Sequence, residues 1–304
     1  MLEHAISFAL AAEITRRASR QTYLTIRWLV DRDRVAYAFC AYAYFRWVDD
    51  YLDRPASSFA ERQAFLRRQW DLITAHNEGY IPNPATPEEG LLVALLQSEP
   101  NPESGLCLYI RHMMAVMEFD VERRGRVISH VELERYTHGL AVAVTEALHY
   151  FIGHHCPPPC GEMRYRAASA AHIVHMLRDT YEDTALGYYN VPHEVVEAGR
   201  ITPQEIHSVP YREWVRNRVE QARKDFRQGR AYLARIPNLR CRLAGYAYIA
   251  RFESVLRTIE RDNYVLRPAY PEHKQVIRGL GMLTSALWHA LVPSRAVLYA
   301  SKVS

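Results

Sequence analysis

Lysine is nearly missing from this chain: of 38 basic residues, only Lys224, Lys274 and Lys302 are not arginine. No block of like charge forms, and the net charge of +4 comes from interspersed residues. That argues against a nucleic-acid-binding surface. No apolar run reaches the roughly 20 residues that a membrane-spanning helix needs. The tail from Val292 to Ser304 is short and mixed, so no transmembrane anchor is expected. Glu3 precedes a short apolar run that ends at Arg16 and Arg17, which is not a signal-peptide pattern. Cysteine is sparse, odd in number and scattered: Cys40, Cys107, Cys156, Cys160 and Cys241. These read as free thiols in a reducing cytoplasm. Cys156-Pro-Pro-Pro-Cys160 lacks a second cysteine pair and reads as a stiff loop in preference to a metal site. Period-2 alternation and fixed-period repeats are missing too, which argues against a sheet or a solenoid.

What is present is helical patterning. An amphipathic helix is expected over about 3–18, and Arg20-Gln-Thr-Tyr23 opens a short second one. Asp31 is a candidate cap for a long helix ended before Pro55. Further helices are expected over about 60–76, 103–124, 163–186, 211–234, 241–263 and 272–291. Thr86-Pro-Glu-Glu89, Ser129 with Glu132, and Thr202-Pro-Gln-Glu205 read as capping boxes. The helix behind Ser129 holds Tyr136 and runs to about Phe151. The proline loops look like connections between helices, so the expectation is one all-α domain over 1–304.

Two stretches stand out, Arg46-Trp-Val-Asp-Asp-Tyr-Leu-Asp53 and Leu177-Arg-Asp-Thr-Tyr-Glu-Asp183. Each carries two carboxylates four residues apart, Asp49/Asp53 and Asp179/Asp183. On a helix that spacing stacks both on one face. Acidic pairs on helices are usually just solvated. These follow runs apolar nearly all round, from Val35 to Phe45 and from Ala167 to Leu177, which belong in an interior. Carboxylates at the ends of buried helices are costly unless paired or metal-bound. Four carboxylates from two helices suit Mg²⁺ and a bound phosphate oxygen.

With both motifs placed, most of the chain resembles the squalene/phytoene synthase family, the head-to-head branch of the trans-isoprenyl diphosphate synthases. Arg20-Gln-Thr-Tyr23 is similar to the family's leading segment and Arg46–Asp53 to its first aspartate-rich motif. Met117-Glu-Phe-Asp120, then Glu132-Leu-Glu-Arg-Tyr136 and Ala141, resembles its middle signature. Arg178–Asp183 followed by Val191-Pro192 resembles the second aspartate-rich motif, and Tyr248 through Tyr264 its late helix.

The resemblance implies an all-α isoprenoid synthase bundle with a central cavity, in which Asp49, Asp53, Asp179 and Asp183 bridge Mg²⁺ to an allylic diphosphate. Arg46, Thr22, Arg20 and Arg267 become candidates to hold diphosphate oxygens. Tyr23, Tyr42, Phe45 and Tyr136 become candidates for the aromatic wall around an allylic cation.

The chain also departs from the family. His172 and His175 stand where the family usually has Gln and Asn. Tyr188-Tyr189-Asn190 replaces an Arg-x-Tyr, Ser19 a histidine and Thr145 a glycine, and the late arginine is shifted to Arg267. Several of these positions serve, in the family, to hold two prenyl diphosphates. The expectation is therefore a divergent prenyltransferase resembling the squalene-synthase-like enzymes that prenylate carbazole-type aromatics. It would take one allylic diphosphate, dimethylallyl diphosphate among the short candidates, and a small-molecule acceptor. The alternative is an ordinary head-to-head synthase. Less favoured are a di-iron carboxylate site, built from His172, His175, Asp179 and Asp183 with Asp49, Asp53 and Glu118, and a non-catalytic relative. The histidines read either as hydrogen-bonded core residues or as functional groups. In the second case His172 lines the acceptor site, and His175 contacts diphosphate or metal or takes a proton.

Overall fold

The computed structural model describes residues 2–153 and 159–270. The expected last helix, the C-terminal tail and Cys156 lie outside the described residues. Twelve α-helices are seen among the described residues, and no strand. Among the described residues, extended backbone pairs only at an isolated bridge between Val127 and Tyr189. The fold is the all-α class that the missing period-2 pattern implied. No helix among the described residues is long and apolar enough to cross a membrane.

The helices fall into two compact units, residues 2–122 with 142–153, and residues 123–141 with 159–270. The first holds α1 (Leu2–Ala18), α2 (Arg20–Leu29), α3 (Val35–Leu52), α4 (Phe59–Asn77), α5 (Pro87–Ser98) and α6 (Gly105–Arg123) up to Glu122. Its centre is α3, which packs on α1 and α5. Phe39, Cys40, Ala43, Tyr44, Phe45, Val48 and Leu52 of α3 are all buried, as a sequence apolar on every side requires. The polar tip of Tyr44 in that core is matched. Tyr44 donates to Gln69 Oε1 (3.0 Å) and Gln69 donates to Glu89 (3.1 Å), with Arg68 also on Glu89. Each buried polar atom in this thread has a partner, which avoids the desolvation cost of leaving one bare.

Helix α7 (His130–Phe151) begins in the second unit. That unit continues with a short 3₁₀ turn (Glu162–Tyr165), α8 (Arg166–Arg178), α9 (Thr180–Leu186), α10 (His193–Gly199), α11 (Val209–Leu233) and α12 (Leu239–Arg261). Helix α8 lies mainly along α11 and also meets α12. At the α8–α11 crossing, a Cβ on Gly229 would stand 2.7 Å from Ala167 Cβ and 2.8 Å from its backbone nitrogen. Only glycine lets the helices approach so closely.

The helix starts follow local chemistry, with three corrections. Ser129 and Glu132 form the expected reciprocal capping box. Thr86 caps α5, but the Glu89 side chain turns to Ala85 N–H (2.7 Å) and to Arg68 and Gln69, so only half the box forms there. Asp31 is not the cap of α3. Its carboxylate accepts from Gly153 N–H (3.0 Å) and its own N–H donates to Phe151 C=O (2.9 Å), while α3 starts behind Arg34 with no side-chain cap. Thr202 and Glu205 make a capping contact without a helix. The chain turns there, and α11 begins only behind Ser208, whose hydroxyl accepts from Tyr211 N–H.

The expected single helix over 163–186 is interrupted. It breaks at Asp179, whose φ and ψ of −97° and 8° leave the helical region. Thr180 Oγ1 bonds the carbonyls of Met176 (2.8 Å) and Leu177 (3.2 Å). Such side-chain capture of backbone carbonyls bends helices. Helical hydrogen bonds persist on both sides, Asp179 N–H to His175 C=O and Asp183 N–H to Asp179 C=O, so the two carboxylates remain one turn apart.

Candidate active site

The expected site residues fall in two clusters, one in each unit. In the first unit, the end of α3 presents Arg46, Asp49, Asp50 and Asp53. Asp49 Oδ2 lies 3.3 Å from Arg46, and Arg46 also pairs with Asp50. Asp49 is half-buried, with 42% of its side chain exposed. Its carboxyl is pushed up to about 6, first by burial and then by the charge of Asp53, with Asp120 and Asp50 adding and Arg46 opposing. Three further carboxylates thus repel it and one guanidinium compensates. Asp120 belongs to the Met117–Asp120 motif, and its part in this cluster emerges only from the folded chain.

The aromatic candidates separate by burial. Tyr23 stacks on Phe39 with ring centroids 5.2 Å apart. Tyr42 is half-buried near Arg46 and Tyr109. Phe45 is 3% exposed, with its ring edge-on to Tyr44 and Tyr109, so it packs in the core of this unit. Thr22 sits in the first turn of α2, where its hydroxyl donates to Ser19 Oγ (2.9 Å) and Ser19 caps the helix. Arg20 is exposed at the start of that helix, and Glu118 on α6 is exposed.

In the second unit, Asp179 is gripped at the break between α8 and α9. Arg178 donates to both its oxygens at 2.6 Å, and His175 Nε2 lies 2.8 Å from Oδ2. Burial raises this carboxyl, but the hydrogen bonds from Arg178 and then His175 outweigh that and hold it well below the usual carboxylate range. Asp183 accepts from Asn190 Nδ2 (2.7 Å). Asn190 in turn accepts from Arg123 Nη1 (3.0 Å). Arg123 reaches Tyr136 Oη (3.4 Å) and lies over the Tyr136 and Tyr188 rings at 4.6 and 5.0 Å. Tyr136 also meets His172 edge-on, 5.2 Å between centroids.

His172 Nε2 is buried with no hydrogen-bond partner among the described residues, as is Arg218 Nη2 on α11. Burial, then the charges of His175, Arg123 and Arg218, hold His172 well below the ordinary histidine value. Its imidazole is therefore neutral at pH 7. Arg267 does not stand open: it pairs with Asp262, with Nη2 at 2.8 Å from Oδ1. A cleft of about 550 Å³ elsewhere in this unit is lined by Glu134, Arg166, Lys224 and Asp225, among others, and by none of the expected site residues.

Among the described residues, no three His, Cys, Asp or Glu side chains gather as ligands for one ion. The donor set still fits Mg²⁺ in kind, because Asp49, Asp53, Asp179 and Asp183 are hard oxygen ligands. The mutual repulsion around Asp49 is the imbalance that a cation relieves. Asp179 would have to release Arg178 to bind one.

Reading the sequence missed Arg123, Asn190, Arg178 and Asp120 as parts of these clusters. Arg178 and Asp120 sit inside the quoted motifs. The signal at position 190 was the departure from the family's tyrosine. Arg123 left no local signal, since nothing in its neighbours says that this arginine is buried.

The sequence model of the squalene/phytoene synthase family matches residues 15–275. Among solved structures, a dehydrosqualene synthase in complex with ligand superposes with a TM-score of 0.73 at 18% identity, covering 94% of this chain and 97% of that one. The squalene synthase HpnC from Alicyclobacillus acidocaldarius superposes with a TM-score of 0.68 at 18% identity, covering 88% and 98%. At that identity, the likeness establishes the isoprenoid synthase fold and nothing finer. No curated protein matches the sequence significantly. The family match, spanning all the described helices after α1 and both carboxylate motifs, identifies this chain as a member of the squalene/phytoene synthase family.

Proposed function

We propose that this protein is a cytoplasmic, Mg²⁺-dependent prenyltransferase. It ionises a short allylic diphosphate, such as dimethylallyl diphosphate, and transfers the prenyl group to an aromatic, carbazole-type acceptor. Family membership supports the coarser statement, a prenyl-transferring enzyme acting on prenyl diphosphates. The observation that carries the ionisation step is the recurrence of one-turn carboxylate pairs at Asp49/Asp53 and Asp179/Asp183, each on a helix end and each beside an arginine.

Asp49, Asp53, Asp179 and Asp183 would hold the Mg²⁺ ions. When bound, these neutralise charge growing on the departing diphosphate. Arg46, one turn before Asp49, receives a diphosphate oxygen, Arg20 offers further donors, and Thr22 would add its hydroxyl by releasing Ser19. The C–O bond breaks and its electron pair leaves with the diphosphate. Tyr23 and Tyr42 in the first unit and Tyr136 in the second are the aromatic side chains that would offer π-faces to the allylic cation. Attack by the acceptor ring forms the new C–C bond. The ring proton then passes to His175 at Nδ1, since Nε2–H is held on Asp179, and aromaticity returns. Neutral His172 beside Tyr136 supports a flat, uncharged acceptor surface in place of a second diphosphate.

The second reading is a head-to-head synthase, and it is favoured by the family match itself. One assay separates the two. The protein is incubated with Mg²⁺, NADPH and dimethylallyl, geranyl, farnesyl or geranylgeranyl diphosphate, with and without carbazole, and the products are resolved by mass. Prenylated carbazole with little C30 or C40 hydrocarbon is expected. Efficient formation of squalene, dehydrosqualene or phytoene refutes the aromatic acceptor. Absence of diphosphate release under every condition refutes the ionisation step as well.

A further inference from the structure

We infer that Arg123 and Asn190 are positioning residues that fix one oxygen of Asp183 for metal binding, an inference that rests on Asp183 being a Mg²⁺ ligand as proposed above. The argument runs along a chain of hydrogen bonds with only one consistent direction. Arginine has donors and no acceptor. Its Nη1 lies 3.0 Å from Asn190 Oδ1, so the carbonyl end of that amide must face Arg123. The NH₂ end must then face the other way, where it meets Asp183 Oδ2 at 2.7 Å. A flipped amide would set NH₂ against guanidinium and carbonyl against carboxylate, two repulsive contacts in place of two bonds.

Arg123 is itself held. It is 4% exposed, with Tyr136 and Tyr188 against its guanidinium. The backbone builds the junction. Gly187, in the left-handed region at φ 88°, ends α9 and turns the chain back. Gly125 N–H then bonds Gly187 C=O (2.8 Å) and Val127 pairs with Tyr189. These contacts set the segment after Arg123 alongside the one that ends in Asn190, which is 3% exposed. A buried amide aimed by a buried cation at a candidate ligand is the arrangement by which an outer shell orients an inner one.

The test uses the full chain with inorganic diphosphate and Mn²⁺, with binding read by electron paramagnetic resonance. Prenyl transfer is measured in parallel against Mg²⁺ concentration. Asn190→Leu removes the donor at similar volume and should weaken Mn²⁺ binding by about 10–100-fold, the usual effect of losing an outer-shell partner. The Mg²⁺ midpoint for activity should move by a similar factor, with most of kcat regained at saturation. Arg123→Met should do the same, and the double variant should be no worse than Asn190→Leu, because Arg123 acts through Asn190. Should the leucine variant fail to fold, Asn190→Ser and Arg123→Lys are read by the same criteria. A merely structural role would lower thermal stability and leave the folded variant's Mn²⁺ affinity alone. Affinity within twofold of the native value in the Asn190 variants, while Asp183→Asn weakens binding at least tenfold, overturns this inference. Unchanged affinity in Asp183→Asn overturns the metal-ligand reading beneath it.

Discussion

Gly229 and Gly90 offer the same chemical change with opposite expected signs. Gly229 sits in α11 where it crosses α8, and an added Cβ would stand 2.7–2.9 Å from Ala167 Cβ, N and Cα. Carbon contacts are comfortable at roughly 3.5 Å and beyond, so the helices must part by about 0.7 Å. Two of the three clashing atoms are backbone, and no rotamer change relieves them. Overpacking of this kind costs about 1–3 kcal/mol. The better helix propensity of alanine offsets about 1 kcal/mol of that. A net loss of about 1 kcal/mol is expected for Gly229→Ala. For a chain of this size that is about 2–4 °C in Tm. Activity should fall too, because α8 carries His172 and His175 and runs straight into Asp179.

Gly90 lies in α5 with nothing within 4 Å of its would-be Cβ and no positive φ. Gly90→Ala should stabilise by about 0.5–1 kcal/mol, chiefly by restricting the unfolded chain. Both variants are measured by thermal and denaturant unfolding. A Gly229→Ala protein more stable than the parent would refute the close α8–α11 crossing. A destabilised Gly90→Ala protein would refute the open surface assigned to α5.

Asp49→Asn should leave the fold intact while cutting kcat/KM by at least about 10²-fold, a typical loss for one electrostatic contact to developing charge. The Arg46–Asp49 pair is about 40% exposed on both sides, and such a pair contributes about 0–1 kcal/mol. Native-like activity in Asp49→Asn, with unchanged circular dichroism, would contradict the ionisation mechanism. Glu132 offers a pH test. The backbone bond from Ser129, then Arg126 and the Ser129 hydroxyl, hold its carboxyl down at about 2, below the ordinary glutamate value of 4.5. Its ionised form therefore favours the folded state fully above the unfolded pKa, and this contribution fades as pH falls from about 4.5 towards 2. Glu132→Gln should be less stable than the parent by about 0.5–1 kcal/mol near neutrality, within the usual range for helix caps. A gap of the same size at pH 2.5 would show that charge is not the cause.

Local pattern determined much of this protein. The run from Val35 to Phe45 is apolar on every side, and it became the buried central helix of its unit. Ser129 and Glu132 are near neighbours in the chain, and they cap α7 as their spacing requires. The carboxylate spacing placed Asp49 with Asp53, and Asp179 with Asp183, one turn apart. Those features need only chain neighbours and the 3.6-residue period, so a sequence carries them whole.

Partner choice belonged to the tertiary structure. Asp31 had the right chemistry to cap α3, but Gly153, 122 residues away, took its carboxylate. Thr202 had a capping pattern, yet the chain turned there instead of winding. Arg267 had a charge to offer a diphosphate and is held by Asp262. Arg123 looked like any exposed arginine and is buried against two tyrosines and an amide. Side-chain chemistry and spacing say which bonds a residue can make. Which of them it makes depends on the segments that folding brings beside it, and the cost of burying an unpaired charge then selects among those neighbours.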